Sequence, residues 1–399
     1  MKRIYESLLT SHFRENRQMA FLSGPRQVGK TTCAWSLHPE RVYINWDVAA
    51  DRRLIMEGCD AVAAKAGLHG LQAGLPTVVF DELHKYPKWK SFLKGLFDVY
   101  QDRGHFLVTG SAHLNVYKRG GDSLMGRYFP YRMHPLSVAE LNPSKERIKE
   151  LGMPRRTDEA HWRSLVRWGG FPEPFLKDAE RFYNRWSEQR TEQLFREDLR
   201  DLTRLHETGQ IQMLAELLAA QTGCLLNYSQ LAKQLQVAVD TIRRWVCVLE
   251  NFYFCFTVRP WFKNVAKSLR KMPKVYLWDW SMAPQAGARY ENFVASHLLK
   301  AIHWWSDCGL GRYGLYYLRD KAQREVDFLV VRNDRPWFLV ESKSSSKRDL
   351  NPQLSYYQRQ IGAEHAFQMV EDLEFVDKDC FEQRQPIIVP ARTLLSQLI

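Results

Sequence analysis

Short apolar runs alternate with helical stretches along the first third of the chain. The runs are MAFLSG, RVYINWD, PTVVFDE and HFLVTGS, and helical periodicity follows Lys30 and extends through KSFLKGLFDVY. Strands separated by helix-sized segments require crossover connections, which build a mostly parallel sheet with helices on both faces. The pattern therefore predicts an α/β domain at the amino-terminal end.

The pattern changes twice in the rest of the chain. Residues 161–220 have helical periodicity and include a long amphipathic helix that begins at Phe182 and has Leu199 and Leu202 as its last apolar positions. The stretch after Asn227 predicts two short helices, the aromatic strand FYFCFTV and a basic loop. From Lys274 onward, YLWDW, GLYYLRD, EVDFLVV and WFLVESK predict the strands of a second α/β unit, with a helix from Glu291 to Ala301. The predicted domain boundaries are 1–145, 146–220, 221–274 and 275–399.

The segment GPRQVGKT satisfies the pattern GxxxxGK[ST] and lies between an apolar strand and a helix. In such a loop the backbone amides and the helix N-terminus hold phosphates, so Lys30 would reach the β and γ phosphates and Thr31 would hold Mg²⁺. We therefore predict a site for ATP and Mg²⁺. The residues predicted to bind the nucleotide are Gly24, Pro25, Arg26, Gln27, Val28, Gly29, Lys30, Thr31 and Thr32.

The apolar run TVVF ends in two acids, Asp81 and Glu82. Their order after the phosphate loop predicts that Asp81 binds in the Mg²⁺ shell and that Glu82 orients or deprotonates the attacking water. The alternative is that the acidic pair caps a helix. The next run, FLVTGS, ends in hydroxyls that could sense the γ-phosphate, and Ser111 is the predicted sensor.

Four segments together, GPRQVGKTT, VVFDELHK, LVTGSA and SLMGRYFPYRMHPLSVAEL, resemble AAA-type P-loop ATPases of bacteria and archaea that carry a nuclease-like C-terminal domain. The resemblance covers nearly the whole chain. It implies that Glu82 is the hydrolytic glutamate, Ser111 the first sensor and Arg127 an arginine finger for the nucleotide of a neighbouring subunit in a homo-oligomeric ring. Such a cation offsets charge that develops on the transferred phosphoryl group. Arg132 is the alternative finger, and Arg127 could instead cap a helix.

Basic residues are concentrated in the middle of the chain. The net charge is +12 for the whole chain, and residues 228–274 hold nine basic and two acidic side chains. The segment YSQLAKQLQVAVDTIRRWVCVLE predicts a helix-turn-helix, and FYFCFTV with the basic loop would add a wing. Winged helices bind DNA or proteins, and the charge favours DNA. The predicted inward-facing residues are Leu231, Ala232, Leu235, Ile242, Trp245, Val246 and Leu249; the predicted DNA contacts are Arg243, Arg244, Lys263 and Lys267.

The runs EVDFLVV and WFLVESK predict a hairpin whose second strand carries Glu341 and Lys343 on one face. Asp327 and Glu341 could share a divalent metal ion, and Lys343 could position a water or stabilise a pentavalent phosphate. This arrangement resembles the PD-(D/E)XK nuclease fold, although no proline precedes Asp327. The resemblance implies Glu291 as a further acid and Gln358 on the following helix. The domain could be an active nuclease, or a nuclease-derived fold retained for binding DNA or subunits.

The predicted fold class is therefore α/β, with an AAA-type ATPase core, a helical lid or connector, a winged helix and a nuclease-like domain. No run of about 18 uncharged apolar residues occurs, and the start of the chain lacks the apolar centre of a secretion signal. We expect a cytoplasmic protein without a membrane partner. The seven cysteines form no CxxC motif and are expected to be reduced thiols.

The leading functional hypothesis is an ATP-hydrolysing AAA-type motor or switch that acts on DNA. One alternative is an ATP-gated, metal-dependent DNA endonuclease. A second is a nucleotide-controlled scaffold whose winged helix binds a protein.

Overall fold

The computed structural model describes residues 1–37, 41–70, 74–111, 124–142, 149–198, 205–262, 271–345 and 349–399. By its internal contacts the chain divides into two compact units, residues 1–134 and 135–399. The four-part division expected from the sequence is finer than this and stays a prediction. In the described ranges, no helix is long and apolar enough to cross a membrane.

The first unit contains one parallel sheet of five strands, in the order β2-β3-β4-β1-β5. Its strands are β1 (Met19–Ser23), β2 (Arg41–Asn45), β3 (Thr77–Asp81), β4 (His105–Gly110) and β5 (Tyr128–Arg132). Its helices are α1 (Ile4–Glu15), α2 (Lys30–Ser36), α3 (Ala49–Glu57), α4 (Cys59–Lys65) and α5 (Trp89–Tyr100).

Helices cover the central strands of this sheet on both faces. All five residues of β1 and of β3 are buried, which is why these segments are continuously apolar rather than alternating. On one face, Phe80 and Phe106 pack with Leu93 and Leu96 of α5, whose apolar residues recur at helical spacing. The apolar runs therefore predicted β1 to β4 correctly as strands of a parallel sheet.

Strand β5 is the one described strand of this sheet that the apolar pattern did not predict. Its sequence, YFPYR, has a proline at position 130 and exposed residues at its centre. Proline is tolerated at the edge of a sheet because its missing N–H can face away from the ladder. β5 pairs with β1 alone and forms this edge, so its position in the sheet accounts for the weak signal.

The second unit contains a mixed sheet of seven strands, in the order β12-β11-β10-β9-β8-β6-β7. The strands are β6 (Cys255–Pro260), β7 (Lys274–Leu277), β8 (Tyr313–Arg319), β9 (Glu325–Arg332), β10 (Arg335–Lys343), β11 (His365–Val370) and β12 (Ile387–Pro390). The helices are α6 (Val138–Leu141), α7 (Glu159–Trp168), α8 (Pro172–Lys177), α9 (Glu180–Gln193), α10 (Leu205–Ala220), α11 (Tyr228–Leu235), α12 (Val239–Asn251), α13 (Ala286–Asp307), α14 (Pro352–Ile361) and α15 (Ala391–Leu398).

Two connections in this unit bear on the predicted elements. β9 and β10 form an antiparallel hairpin in which Arg332 and Arg335 are paired, as the runs EVDFLVV and WFLVESK predicted. The long amphipathic helix expected after Phe182 ends at Gln193 and continues as one π-helical turn. The last two apolar positions expected in it, Leu199 and Leu202, lie outside the described residues.

Helices α11 and α12 have the bounds expected of a helix-turn-helix, and all seven residues expected to face inward are buried. Asn227 begins α11 by accepting a hydrogen bond from the Gln230 amide at 3.1 Å, and Gln236 ends it in the left-handed region at φ 55°. Strand β6, expected in a wing, is hydrogen bonded to both β7 and β8. It therefore belongs to the seven-stranded sheet, and the winged helix stays a prediction.

The start of the second unit is attached to helix α13 by buried polar contacts. The Val138 amide donates to Nε2 of His297 at 3.1 Å, and Nδ1 of the same ring contacts the Phe293 carbonyl at 2.7 Å. Since Nε2 accepts, the ring is neutral, and burial lowers the pKa of His297 to about 3. Three residues further along α13, Lys300 donates to the Pro135 carbonyl at 2.9 Å and pairs with buried Glu140.

The pKa of His297 predicts a loss of stability in mild acid. In the unfolded chain this group titrates near 6.5, so its contribution is complete above that pH and is lost as the pH falls towards 3. Between pH 7 and pH 5 the free energy of unfolding should fall by about 2 kcal/mol through this group. Urea titrations should show a smaller pH dependence for His297→Gln, while His161→Gln, at an exposed position, should keep the wild-type dependence.

Candidate nucleotide site and acidic cluster

The phosphate loop follows the carboxyl end of β1 and leads directly into α2. Gln27 and Gly29 have left-handed backbones, at φ 62° and 101°, which turn successive amides towards one side of the loop. A Cβ atom at Gly24 would lie 2.4 Å from the carbonyl oxygen of Met133, so only glycine fits there. The loop therefore has the close backbone approach that a phosphate cradle requires.

Two cations at this loop, Lys30 and Arg3, donate hydrogen bonds to backbone carbonyls. Nζ of Lys30 donates to the carbonyls of Gly24 and Pro25, both at 2.8 Å, and the side chain is buried. Arg3 is also buried, and donates to the Val28 carbonyl at 2.5 Å and the His134 carbonyl at 2.7 Å. Sequence reasoning missed Arg3 because it lies in a polar stretch far from the motif.

Asp81 lies at the carboxyl end of β3, where three hydroxyl groups converge on its carboxylate. Thr31 donates to Oδ2 at 3.3 Å, Tyr43 donates to the same oxygen, and Thr109 donates to Oδ1. Burial and the Asp81 carboxylate raise the pKa of Tyr43, so this phenol is a neutral donor. The structure thus brings together Thr31 and Asp81, the two predicted Mg²⁺ ligands, and adds Tyr43, which sequence reasoning missed because it lies within an apolar strand.

Glu82 follows Asp81 with a left-handed backbone, φ 54°, which costs about 1–3 kcal/mol for a non-glycine residue and is concentrated at functional sites. Oε2 of Glu82 accepts a hydrogen bond from Ser111 at 3.3 Å and lies 3.6 Å from both His84 Nε2 and Lys85 Nζ. The predicted hydrolytic glutamate and the predicted sensor are therefore in direct contact at the carboxyl edge of the sheet.

The two candidate arginine fingers lie at opposite ends of β5. In the parallel pairing with β1, Tyr128 is opposite Met19 and Arg132 is opposite Ser23, the residue before the phosphate loop. Arg127 precedes this strand and is therefore about 15 Å from the phosphate-loop edge of its own sheet. Its guanidinium contacts both carboxylate oxygens of Asp98, at 2.7 and 2.9 Å.

The basic residues of the middle segment divide into three groups. Lys233, Arg243, Arg244, Arg259 and Lys271 are exposed. Arg243 lies 4.5 Å from the ring centre of Tyr228. Lys263 and Lys267, two of the predicted DNA contacts, lie outside the described residues, as does Arg270. Lys274 is buried and belongs to a cluster of acids, so it cannot contribute to a basic surface.

Lys274 lies among two carboxylates of the predicted nuclease-like site and a third one, Glu325. Its Nζ lies 2.6 Å from Glu325 Oε1, 3.1 Å from Glu291 Oε1 and 3.7 Å from Asp327 Oδ1. Burial lowers the pKa of this ammonium, but the three carboxylates outweigh burial and raise it, so Lys274 is charged. Burial and the nearby Asp327 raise the pKa of Glu291 to about 7. Sequence reasoning missed the role of Lys274 because it counted this residue with the basic loop.

Asp327 and Glu341 lie on neighbouring strands of the hairpin, and each carboxylate accepts hydrogen bonds from other residues. Oδ2 of Asp327 accepts from the amide and hydroxyl of Ser342, at 2.8 and 2.7 Å. Oε1 of Glu341 accepts from Lys343 at 2.7 Å, as the shared face predicted, and from Asn351 at 2.8 Å. Burial and Asp327 raise the pKa of Glu341.

Gln358, expected near these acids, instead donates to the carbonyls of Glu364 and Arg384, at 3.4 and 2.6 Å. It lies on α14, as the resemblance implied, but these contacts belong to the loop before β11 and the turn before β12. The structure therefore brings together Glu291, Asp327, Glu341 and Lys343, adds Lys274 and Asn351, and does not bring in Gln358.

Three ranges of the chain match known protein families. Residues 16–142 match the AAA domain, and this range contains the phosphate loop, Asp81 and Glu82. This match supports the predicted class of AAA-type P-loop ATPase for this part of the chain. Residues 159–291 and 286–378 match two domains of unknown function, DUF8612 and DUF4143. The winged-helix and nuclease-like assignments therefore stay predictions.

Two uncharacterized proteins are similar over most of the chain. Mb2031c of Mycobacterium bovis and Rv2008c of Mycobacterium tuberculosis are each 26% identical to it over 346 residues, or 82% of this chain and 71% of theirs.

Two solved structures are distantly similar to this chain. A chain of Drosophila ORC bound to AT-rich DNA and Cdc6 is 10% identical, with a TM-score of 0.24, over 73% of this chain and 90% of that one. The STAND protein PH0952 from Pyrococcus horikoshii is 12% identical, with a TM-score of 0.25, over 76% of this chain and 47% of that one. Scores this low carry no argument about fold or function.

The geometry of the nucleotide site predicts different effects for its two central residues. Lys30→Ala should abolish ATP binding, because it removes the cation of the phosphate loop. Glu82→Gln should retain ATP binding but lower the turnover number on the order of 100-fold, because it removes the base or orienting carboxylate. Binding of a fluorescent ATP analogue and phosphate release would separate the two effects. Lys65→Ala, at a lysine that pairs with Asp51 on α3, should leave both unchanged.

Proposed function

We propose that this protein is an ATP-hydrolysing motor or switch that acts on DNA as a ring of identical subunits. The AAA-type domain supports ATP hydrolysis. The observation that carries the DNA proposal is the exposure of five basic residues in and just after the helix-turn-helix, which are Lys233, Arg243, Arg244, Arg259 and Lys271.

The nucleotide site suits MgATP. Phosphates would be held by the amides of the loop and by Lys30, once its contacts with the two carbonyls are exchanged. Thr31 and Asp81 would hold Mg²⁺, which neutralises charge on the phosphates. Glu82, fixed by Ser111, would orient the attacking water. Because Ser111 contacts Glu82 directly, a change at the γ-phosphate could reach the hydrolytic carboxylate through one hydrogen bond.

The basic surface suits contact with a phosphate backbone. Arg243 and Arg244 point outward from α12, whose opposite side is buried through Ile242, Trp245 and Leu249. A helix that exposes successive arginines beside a compact helical partner can bind DNA through charge alone. We propose no base preference, because phosphate contacts carry no sequence information.

A ring accounts for the position of Arg127. This residue lies at the edge of the sheet away from its own phosphate loop, so it could serve only the nucleotide of a neighbouring subunit. In such a ring, Arg127 would release the Asp98 carboxylate and contact the γ-phosphate of the nucleotide bound to the neighbouring subunit. Arg132, opposite Ser23, lies at the same edge as its own phosphate loop and would serve its own nucleotide.

Charge reversal on α12 tests the action on DNA. Duplex or branched DNA should stimulate the ATPase, and Arg243→Glu with Arg244→Glu should weaken DNA binding about tenfold or more and lower its salt dependence. Fluorescence anisotropy at several salt concentrations and ATPase assays with DNA would measure both effects.

The matched control for charge reversal is Arg181→Glu with Arg185→Glu, which makes the same change in net charge at exposed positions of α9. This control should bind DNA as the wild type does. If both double variants retain wild-type affinity and stimulation, the scaffold hypothesis replaces the DNA proposal.

Subunit mixing tests the ring. Lys30→Ala and Arg127→Ala should each be inactive alone, but an equimolar mixture should regain part of the ATPase rate, because Lys30→Ala subunits supply an intact arginine to their neighbours. Arg132→Ala mixed with Lys30→Ala should show no recovery. Labelled protein should show that subunits mix in both cases. If the second mixture recovers activity and the first does not, Arg132 serves the neighbouring nucleotide and Arg127 does not.

A further inference from the structure

A buried lysine contacts two of the acids of the predicted nuclease-like site, Glu291 and Asp327. Lys274 reaches the acids from β7, while Glu291 belongs to α13 and both Glu325 and Asp327 belong to β9. Its side chain is 5% exposed, and its ammonium contacts one oxygen of each of these three carboxylates. An ammonium has three N–H donors, which matches three carboxylate oxygens arranged around it.

The acids also accept hydrogen bonds from other donors of the chain. Tyr276 donates to Oε1 of Glu291 at 2.7 Å, and Ser342 donates twice to Oδ2 of Asp327. Oε1 of Glu341 accepts from Lys343 and Asn351. Each predicted ligand of a metal ion is thus already engaged, either by a positive charge or by a neutral donor.

These contacts do not fit a divalent metal ion. Mg²⁺ requires about six oxygen ligands near 2.1 Å in an octahedron, and Mn²⁺ prefers a similar oxygen set. An ion bound by Asp327 and Glu341 would lie close to the Lys274 ammonium, whose Nζ is 3.7 Å from Oδ1 of Asp327, and two positive charges at such a distance repel strongly in a largely buried site. Throughout the parts of the chain that the structure describes, no group of three or more His, Cys, Asp or Glu residues is arranged to hold a metal.

We propose that Lys274 is a built-in cation that takes the place of a divalent metal ion in this cluster, so that the carboxy-terminal domain does not cleave DNA. The cluster instead ties three elements together: β7, which follows the basic loop, helix α13 and the β9 strand of the hairpin. The nuclease-like fold then serves as a binding or structural domain.

Replacing the lysine tests this proposal directly. Lys274→Met keeps most of the length of the side chain but removes its charge, and it should lower the Tm in EDTA by on the order of 10 °C, because carboxylates are left buried without their partner. Mn²⁺ added without nucleotide should then restore several degrees in this variant. The wild type and Lys321→Met, a matched change at an exposed lysine, should show neither effect. Any Mn²⁺ at the nucleotide site is common to all three proteins and cancels in the comparison.

Two measurements on the wild type keep the proposal testable even if Lys274→Met does not fold. The wild type should not nick plasmid DNA in Mg²⁺ or Mn²⁺, and Mn²⁺ should stabilise it no more than it stabilises Glu341→Ala. Nicking by the wild type that Glu341→Ala abolishes would overturn the proposal. A folded Lys274→Met that gains no more stability from Mn²⁺ than the wild type would overturn it as well.

Discussion

The compensation of buried charge is the constraint on which both sites depend. Moving a carboxylate or an ammonium out of water costs several kcal/mol unless hydrogen bonds or an opposite charge replace the water. In the first unit, carbonyl groups compensate Lys30 and hydroxyl groups compensate Asp81. In the second unit, carboxylates compensate Lys274. The partners are neutral at the first site and charged at the second, and this difference gives the two sites different chemistry.

Neutral partners leave the nucleotide site open to exchange. A carbonyl or hydroxyl hydrogen bond contributes about 1 kcal/mol net, so a phosphate or a metal ion that offers a full charge can replace it. Lys30 and Thr31 therefore lie in contacts that a bound nucleotide can take over. The acidic cluster is different, because its central cation is part of the chain. A metal ion would have to displace an ammonium held by three carboxylates. Breaking buried ion pairs of this kind is strongly destabilising.

The parallel sheet explains why the nucleotide site was predictable. The carboxyl ends of parallel strands meet at one edge, so a motif after β1, acids after β3 and a hydroxyl after β4 must lie close together once the strands are identified. Glu82 and Ser111 meet for this reason. Tyr43 and Arg3 were not predictable in the same way, because neither belongs to the phosphate-loop motif nor follows the end of one of these strands.

Local sequence determined the apolar strands β1 to β4, the phosphate loop, the two helices of the helix-turn-helix and the β9–β10 hairpin, because each depends on residue spacing and on short-range backbone preference. Tertiary structure alone decided the edge position of β5 and the partners of Lys274. A lysine beside a basic loop has the same local signal whether it faces solvent or three carboxylates. The difference arises from Glu291 of α13 and Asp327 of β9, which lie 17 and 53 residues further along the chain and contact Lys274 only in the folded domain. Charge counted along the sequence therefore indicates which lysines form a basic surface less well than charge located in the fold does.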